Sequence, residues 1–184
     1  MDLIRASAGR DPPPFLRLSL FFHPAQVLWY YPSMRRKDKR IESRDEVVKI
    51  LRRGHVCFLS MVDGKRPYVV PLNYGYAQNA LFFHSAPEGR KIRILRENPD
   101  VSFCIVSDYE LVRSGNACSW TADYSSVMGA GKAIILREQR EKTRGLSVIM
   151  GHYSDLEFDF SSAALEDVAV IRVDIDTMEG KKSS

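Results

Sequence analysis

Ser85, Gly89, Arg90 and Lys91 fall within one seven-residue stretch, Ser85-Ala86-Pro87-Glu88-Gly89-Arg90-Lys91. A hydroxyl, a flexible glycine and two adjacent cations are the parts a phosphate group needs. A helix that begins at Gly89-Arg90 leaves its first N–H groups unpaired and turns the positive end of its dipole outward. Arg90 adds a fork suited to phosphate oxygens, and Lys91 adds a point charge. Taken alone, the two cations read more simply as solvated helix residues. Upstream, Val69-Val70-Pro71-Leu72 combines an apolar wall with a proline that withholds a ladder N–H. Such a segment suits an edge or irregular point of a sheet, where neighbouring backbone groups stay free for a ligand. A plain buried strand that tolerates one proline explains the same residues. His84 shares a strand face with Phe82, and a lone histidine there is more often a hydrogen-bonded core residue than a proton donor. His23, His55 and His152 show no ligand spacing with carboxylates or cysteines, so no metal site is expected.

The elements that must position these residues follow from local patterning. Ser43-Arg44-Asp45-Glu46 is a capping box, and Val47, Val48, Ile50 and Leu51 then fall at helical spacing until Gly54, which predicts a helix over 44–53. His55 to Val62 reads as a strand, Asp63-Gly64 as a hairpin turn, and Pro67 to Tyr76 as the return strand. Ala77-Gln78-Asn79 turns into a third strand, Ala80 to Ser85, which makes an antiparallel meander. A short helix is expected over Arg90 to Glu97, closed by Asn98-Pro99. A strand then covers Val101 to Val106, and 108–116 reads as a loop. Ala117 to Asp123 and Ser125 to Leu136 read as strand, with a bulge or bend at Gly129 and Gly131. A helix over Glu138 to His152 and a last strand over Val168 to Asp176 complete the pattern. About six strands with helices at the ends make a small antiparallel barrel, mainly β with flanking α-helices.

Bulk properties bound the rest. The 184 residues are 45% hydrophobic and 27% charged, enough for one domain with a real core. The net charge of +4 is concentrated: residues 34–53 carry nine Lys/Arg against four Asp/Glu. A nucleic-acid binder more often spreads its basic charge along a groove or recognition helix, so no nucleic-acid partner is expected. Cys57, Cys104 and Cys118 are odd in number and lack C-x-x-C spacing, which suits free thiols in a reducing cytoplasm. Residues 1–33 combine Pro12-Pro13-Pro14 with an apolar stretch broken by Arg17, His23 and Pro24. They are expected to be a poorly structured extension, without membrane insertion and without a signal-peptide cleavage site, ahead of a domain over 34–184.

Patterning stops at a small barrel; an ordered set of segments goes further. Pro67-Tyr68-Val69-Val70-Pro71-Leu72-Asn73-Tyr74-Gly75-Tyr76, then Leu81-Phe82-Phe83-His84-Ser85-Ala86, then Gly89-Arg90-Lys91 resemble the core of the FMN-binding split-barrel flavoproteins, the pyridoxamine 5′-phosphate oxidase-like superfamily. The charged start Met34 to Asp38, Cys118-Ser119-Trp120 through Tyr124-Ser125-Ser126-Val127, Gly129, Gly131, and Glu141-Lys142 to Met150-Gly151-His152-Tyr153 are similar to its nitroimidazole-resistance (Nim) branch.

The resemblance implies a six-stranded antiparallel split β-barrel of FMN-binding type, a homodimer with its sites at the interface, and FMN as cofactor. It implies cofactor contacts from Val69, Val70, Pro71, Leu72, His84, Ser85, Arg90 and Lys91. Tyr124, Ser125 and Ser126 would approach from the partner subunit, and His84 would be the catalytic candidate. It implies an FMN-dependent oxidoreductase of small molecules, reducing nitro-aromatic or similar electrophiles. The alternatives are a non-catalytic flavin-binding or redox-sensing module, or a haem-binding relative on the same barrel. The C-terminal Glu179 to Ser184 lacks the substrate-binding pattern of true pyridoxamine 5′-phosphate oxidase. Trp120 is expected to be core or interface.

Overall fold

The computed structural model describes residues 34–183, and the expected extension over 1–33 lies outside them. The first helix, α1 (Arg44–Arg53), begins where the capping pattern places it: Ser43 Oγ accepts from the Glu46 N–H at 3.4 Å. Val47, Ile50 and Leu51 turn inward, and the Gly54 N–H closes the helix on the Ile50 carbonyl. Strands β2 (Cys57–Asp63) and β3 (Arg66–Leu72) then form a hairpin through Gly64-Lys65, with Gly64 at φ +63°. Along β2, Cys57, Leu59 and Met61 are buried while Phe58 and Val62 stay exposed, the alternation of a strand with one face in the core.

The expected return strand over Pro67 to Tyr76 divides in two. After β3, Asn73 and Tyr74 leave the ladder, and Gly75–Ala77 forms a separate strand, β4, paired with β5 (Ala80–Ser85). The expected meander is therefore two hairpins. With β6 (Asp100–Val112), β7 (Thr121–Leu136) and β8 (Ala169–Ser183) between them, they sit at opposite ends of a path that runs β3-β2-β6-β7-β8-β5-β4, with every pair antiparallel. The two end strands of that path are joined by only two residues, so the sheet must curl until its ends meet. The result is a barrel split at Asn73-Tyr74.

Eight strands are present rather than six. The additions are β4 and β1 (Arg40–Ile41), which pairs with β8; two- and three-residue strands carry no readable alternation. Other boundaries moved for the same reason. Strand β6 (Asp100–Val112) runs through most of the expected loop, past a register shift between Ser107 and Glu110. Residues Ala117–Ser119 form a 3-10 turn rather than strand, and β7 (Thr121–Leu136) is continuous. Its bulge falls between Ala130 and Gly131, as the glycines suggested. The last strand, β8 (Ala169–Ser183), extends seven residues beyond Asp176 along β7. Ile41, Tyr76 and Met178 in these added stretches pack against the barrel core, but the stretches are too short or too mixed to show a burial period, and cross-strand pairing fixes their extent.

Helix α2 (Arg90–Glu97) matches expectation, α3 (Gln139–Tyr153) is displaced by one residue, and the short α4 (Ser162–Glu166) was not foreseen. One core fills the barrel around Tyr74, Phe83, Leu51, Ile105 and Ile171; a second, with Phe82, Leu136, Ile149 and Val170, lies under α3. Gly145 permits that approach, since a Cβ there would stand 2.7 Å from Val170 Cγ1.

The split is tied by a knot of hydrogen bonds. Tyr74 Oη lies 2.7 Å from the Leu51 carbonyl and 3.1 Å from that of Gly54, and donates toward both. The Tyr74 N–H donates to Tyr153 Oη at 2.9 Å, and that hydroxyl donates to the His55 carbonyl at 2.8 Å. His152 Nε2 stands 2.6 Å from the Gly54 carbonyl and must carry the proton, because a carbonyl can only accept. His152 is thus a structural donor. Removing the Tyr153 hydroxyl leaves a half-buried N–H without its acceptor, so Tyr153→Phe should cost about 1–3 kcal/mol. Urea unfolding should show a lower midpoint at unchanged slope; an unchanged midpoint would show that the knot does not hold the split.

Candidate functional site

The head of α2 leaves its backbone donors open. Gly89 occupies the N-cap at φ +122°, a conformation open to glycine, and no side chain caps the helix. The first-turn N–H groups therefore face outward. Lys91 is half-buried, no carboxylate pairs with it among the described residues, and burial pulls its pKa below the ordinary lysine value. A cation partly withdrawn from water without a counter-charge favours a bound anion.

Arg90 is differently placed. Its Nε donates to Asp63 Oδ2 at 2.9 Å, and its guanidinium stacks over the Tyr68 ring at 4.3 Å. Arg93, which patterning did not single out, donates to the other oxygen of Asp63 at 2.8 Å. One carboxylate at the β2–β3 turn therefore binds two arginines one helical turn apart and ties α2 to β3. The spacing of Arg90 and Arg93 was visible in the sequence, but the Asp-Gly turn signal accounted for Asp63 fully and hid its second role.

Among the described residues, strand β3 ends the sheet path and pairs only with β2. Pro71 lies at this edge, as a residue without a ladder N–H should. Val69 is 58% exposed and Pro71 is exposed, while Val70 and Leu72 are half-buried against the core. Registers place Pro71, Phe58, Cys104 and Met128 side by side across four strands, with Val69 and Ser60 in the next row. Phe58, Val62, Val69, Val106 and Met128 are all exposed on this outer face.

On β5, His84 stands opposite Val170 and is exposed, so it is not a core histidine. Ser85 is half-buried opposite Ala169, four residues before Gly89. Tyr124, Ser125 and Ser126 lie on β7. Ser125 and Ser126 are buried, and Tyr124 Oη accepts from Lys181 Nζ at 2.8 Å. The structure thus joins Arg90 to β3 through Tyr68 and Asp63, and joins Tyr124 to the end of β8. Trp120 is 47% exposed at the tip of the β6–β7 hairpin, where Nε1 donates to the Ser114 carbonyl, so it is not core. Cys57 is buried, Cys104 half-buried and Cys118 exposed, and all three are free. Among the described residues no group of histidines, cysteines and carboxylates could hold a metal, and no helix is long and apolar enough to cross a membrane.

Hydrogen bonds from Arg93 and Arg90 hold the Asp63 carboxyl below its ordinary value. Its folded pKa therefore lies under its unfolded one. The clamp's stabilisation is complete above the ordinary carboxylate range and is lost as pH falls through the depressed folded value. Asp63→Asn should be less stable than wild type at neutral pH, with the gap closing in acid. Thermal melts across that range measure it; a gap that persists undiminished in acid would show that Asp63 acts by packing.

Comparison with known proteins agrees with this architecture. Residues 43–182 match the family described as pyridoxamine 5′-phosphate oxidase. The solved structure of a candidate 5-nitroimidazole antibiotic resistance protein from Bacteroides thetaiotaomicron VPI-5482 is 35% identical, covering 78% of this chain and 86% of that one, with a TM-score of 0.71. An FAD- and haem-binding protein from Mycobacterium smegmatis shares the fold, with a TM-score of 0.70 at 16% identity over 79% of this chain and 74% of that one. An uncharacterised protein of Rhizobium meliloti (strain 1021) is 36% identical over 66 residues, 36% of this chain. That match spans 43% of the relative's own length. With the match running from the cap of α1 to the end of β8, the chain belongs to the pyridoxamine 5′-phosphate oxidase family.

Proposed function

We propose that the chain is an FMN-dependent oxidoreductase that reduces small electrophiles of the nitro-aromatic kind. The observation that carries this reading is the head of α2: an uncapped helix start at Gly89 beside a half-buried Lys91 with no carboxylate partner among the described residues. Lys91, the first-turn N–H groups and the Ser85 hydroxyl would hold the flavin phosphate. Arg90 spends its Nε on Asp63, which leaves its terminal nitrogens to add to the same field. Val69, Val70, Pro71 and Leu72 would give the ring an apolar wall and free backbone groups at an open sheet edge.

Bound FMN supplies the redox chemistry; the protein supplies position, electrostatics and exclusion of water. His84, exposed and uncommitted to the core, would deliver a proton to the reduced substrate. The likeness to the nitroimidazole-resistance protein supports the substrate class.

The exposed apolar row across β3, β2, β6 and β7 supports a homodimer. Phe58 at 45%, Val62 at 46% and Met128 at 43% exposure, beside Val69 and Val106, form a contiguous apolar face of the kind that a second copy covers. Tyr124, Ser125 and Ser126 would then reach the cofactor of the partner. Sedimentation of the flavin-bound protein at micromolar concentration should give a dimer, and a monomer would overturn this arrangement.

The purified protein should carry FMN, identified by mass, or bind it when added, and then turn over a nitro-aromatic with an external reductant. Binding without turnover would mark a carrier or sensor. Lys91→Ala should weaken FMN binding about ten- to a hundredfold, the equivalent of roughly 1.5–3 kcal/mol for a charge-assisted contact. Riboflavin, which lacks the phosphate, should bind wild type and variant alike. Equal loss for both ligands, or no loss for FMN, would remove Lys91 as the phosphate anchor.

A further inference from the structure

Besides Lys91, three lysines lie half-buried without a carboxylate ion pair among the described residues: Lys142 donates to the Leu165 carbonyl, and the other two meet at the far end of the β7–β8 ladder. Lys39 Nζ donates to Ser183 Oγ at 3.0 Å. Lys181 Nζ donates to Tyr124 Oη at 2.8 Å and lies 5.3 Å from the centre of the same ring. Tyr124 and Ser183 are register partners, as are Ser126 and Lys181. Paired residues on adjacent strands project from the same face, and so do residues two apart on one strand. All four side chains therefore leave one face of the ladder, with Lys39 reaching it from the turn before β1.

The neighbouring carboxylates do not neutralise this cluster. Glu42 and Glu179 flank it in the sequence and are turned to Arg40, at 3.7 and 3.8 Å, and Asp38 beside Lys39 is paired with Arg36 at 2.6 Å. The hydrogen-bond inventory then has a definite polarity. An ammonium group has three donors and no acceptor, so each lysine keeps donors beyond the one it spends. A hydroxyl that accepts from a lysine still has its own proton to give. Tyr124, Ser183, Lys39 and Lys181 thus present donors, on a face where the nearest carboxylates are already engaged. A partly desolvated site of this polarity is satisfied by a ligand that only accepts.

We propose that Lys39, Lys181, Tyr124 and Ser183 form an oxyanion-binding subsite, taking the carboxylate or phosphate of a small molecule. It stands on strands β7 and β8, apart from the head of α2; Tyr124 is also the residue proposed above to reach the partner's cofactor, so FMN and riboflavin titrations must separate the two readings. It gives a use to the basic surplus of residues 34–53 and to the Gly180-Lys181-Lys182-Ser183 terminus, neither of which the flavin contacts absorb.

The test is titration of the full chain with inorganic phosphate, and separately with benzoate, at low ionic strength, followed by amide NMR. Amides of 123–126 and 181–183 should shift saturably. Lys181→Met and Lys39→Met should each raise the dissociation constant about tenfold or more, the loss expected of a charge-assisted contact. Lys181→Arg should retain binding, and Tyr124→Phe should weaken it while keeping the ring. Thermal melts separate these effects from misfolding. Preference for phosphate or for benzoate tells which oxyanion the site takes. Titration of the same variants with FMN and riboflavin separates the two sites. If Lys181→Met removes the preference for FMN over riboflavin and Lys91→Ala does not, the subsite holds the flavin's own phosphate and the Lys91 assignment falls. Shifts at 123–126 and 181–183 that fail to saturate, or that survive both Lys→Met changes in a folded protein, would overturn the proposal.

Discussion

Everything in this fold turns on the two residues between β3 and β4. Asn73 and Tyr74 join the opposite ends of a seven-strand path, so the sheet has to curve until those ends are neighbours. The link holds because Tyr74 is fully buried with both its hydroxyl and its N–H engaged. Of these two groups, the hydroxyl reaches the carbonyls at the end of α1, and the N–H reaches Tyr153 at the end of α3. An unsatisfied buried hydroxyl or amide costs about 1–3 kcal/mol, so the partners are as necessary as the burial. Gly75 follows immediately because the α3 backbone passes too close for a side chain: a Cβ there would stand 2.8 Å from the Ile149 Cα.

Curling the sheet in this way leaves β3 with one free edge and a partly exposed face. The same constraint that closes the barrel therefore creates the apolar ledge of Val69 and Pro71. The Asp63 clamp then fixes the head of α2 against that strand, since Arg90 touches both Asp63 and Tyr68. Two kinds of interaction divide the labour. Burial and backbone pairing set the shape, and a small exposed ion cluster sets the angle at which a helix start faces the sheet edge. The second weakens only in acid, as pH falls through the depressed value of the Asp63 carboxyl.

Among the described residues four half-buried lysines have no carboxylate partner: Lys142, which donates to the Leu165 carbonyl, Lys91 on α2, and the Lys39–Lys181 pair at the end of β8. Elsewhere many cations are matched: Arg36 with Asp38, Arg93 with Asp63, Lys132 with Asp100. Surface pairs of that kind contribute little to stability, but they show which charges the fold has already answered. The unanswered ones lie where hydroxyls or free backbone N–H groups gather, which is where an anionic small molecule would be held.

Much of this was legible in the chain itself. The Ser43 cap, the Asp63-Gly64 turn, the span of α2 and the bulge by Gly131 all follow from interactions within a few residues, which sequence records directly. The ordered segments from Val69 to Lys91 pointed to the family. The separation of β3 from β4, the strands β1 and β4, the long arm of β6 and the polar end of β8 were not legible. They are held by partners far away in the chain, and they leave no periodic trace of burial. The roles of Asp63, Arg93, Lys39 and Lys181 were hidden for the same reason. Each residue type satisfies a local rule, and only the folded chain decides whether a charge meets a partner, a hydroxyl or open space.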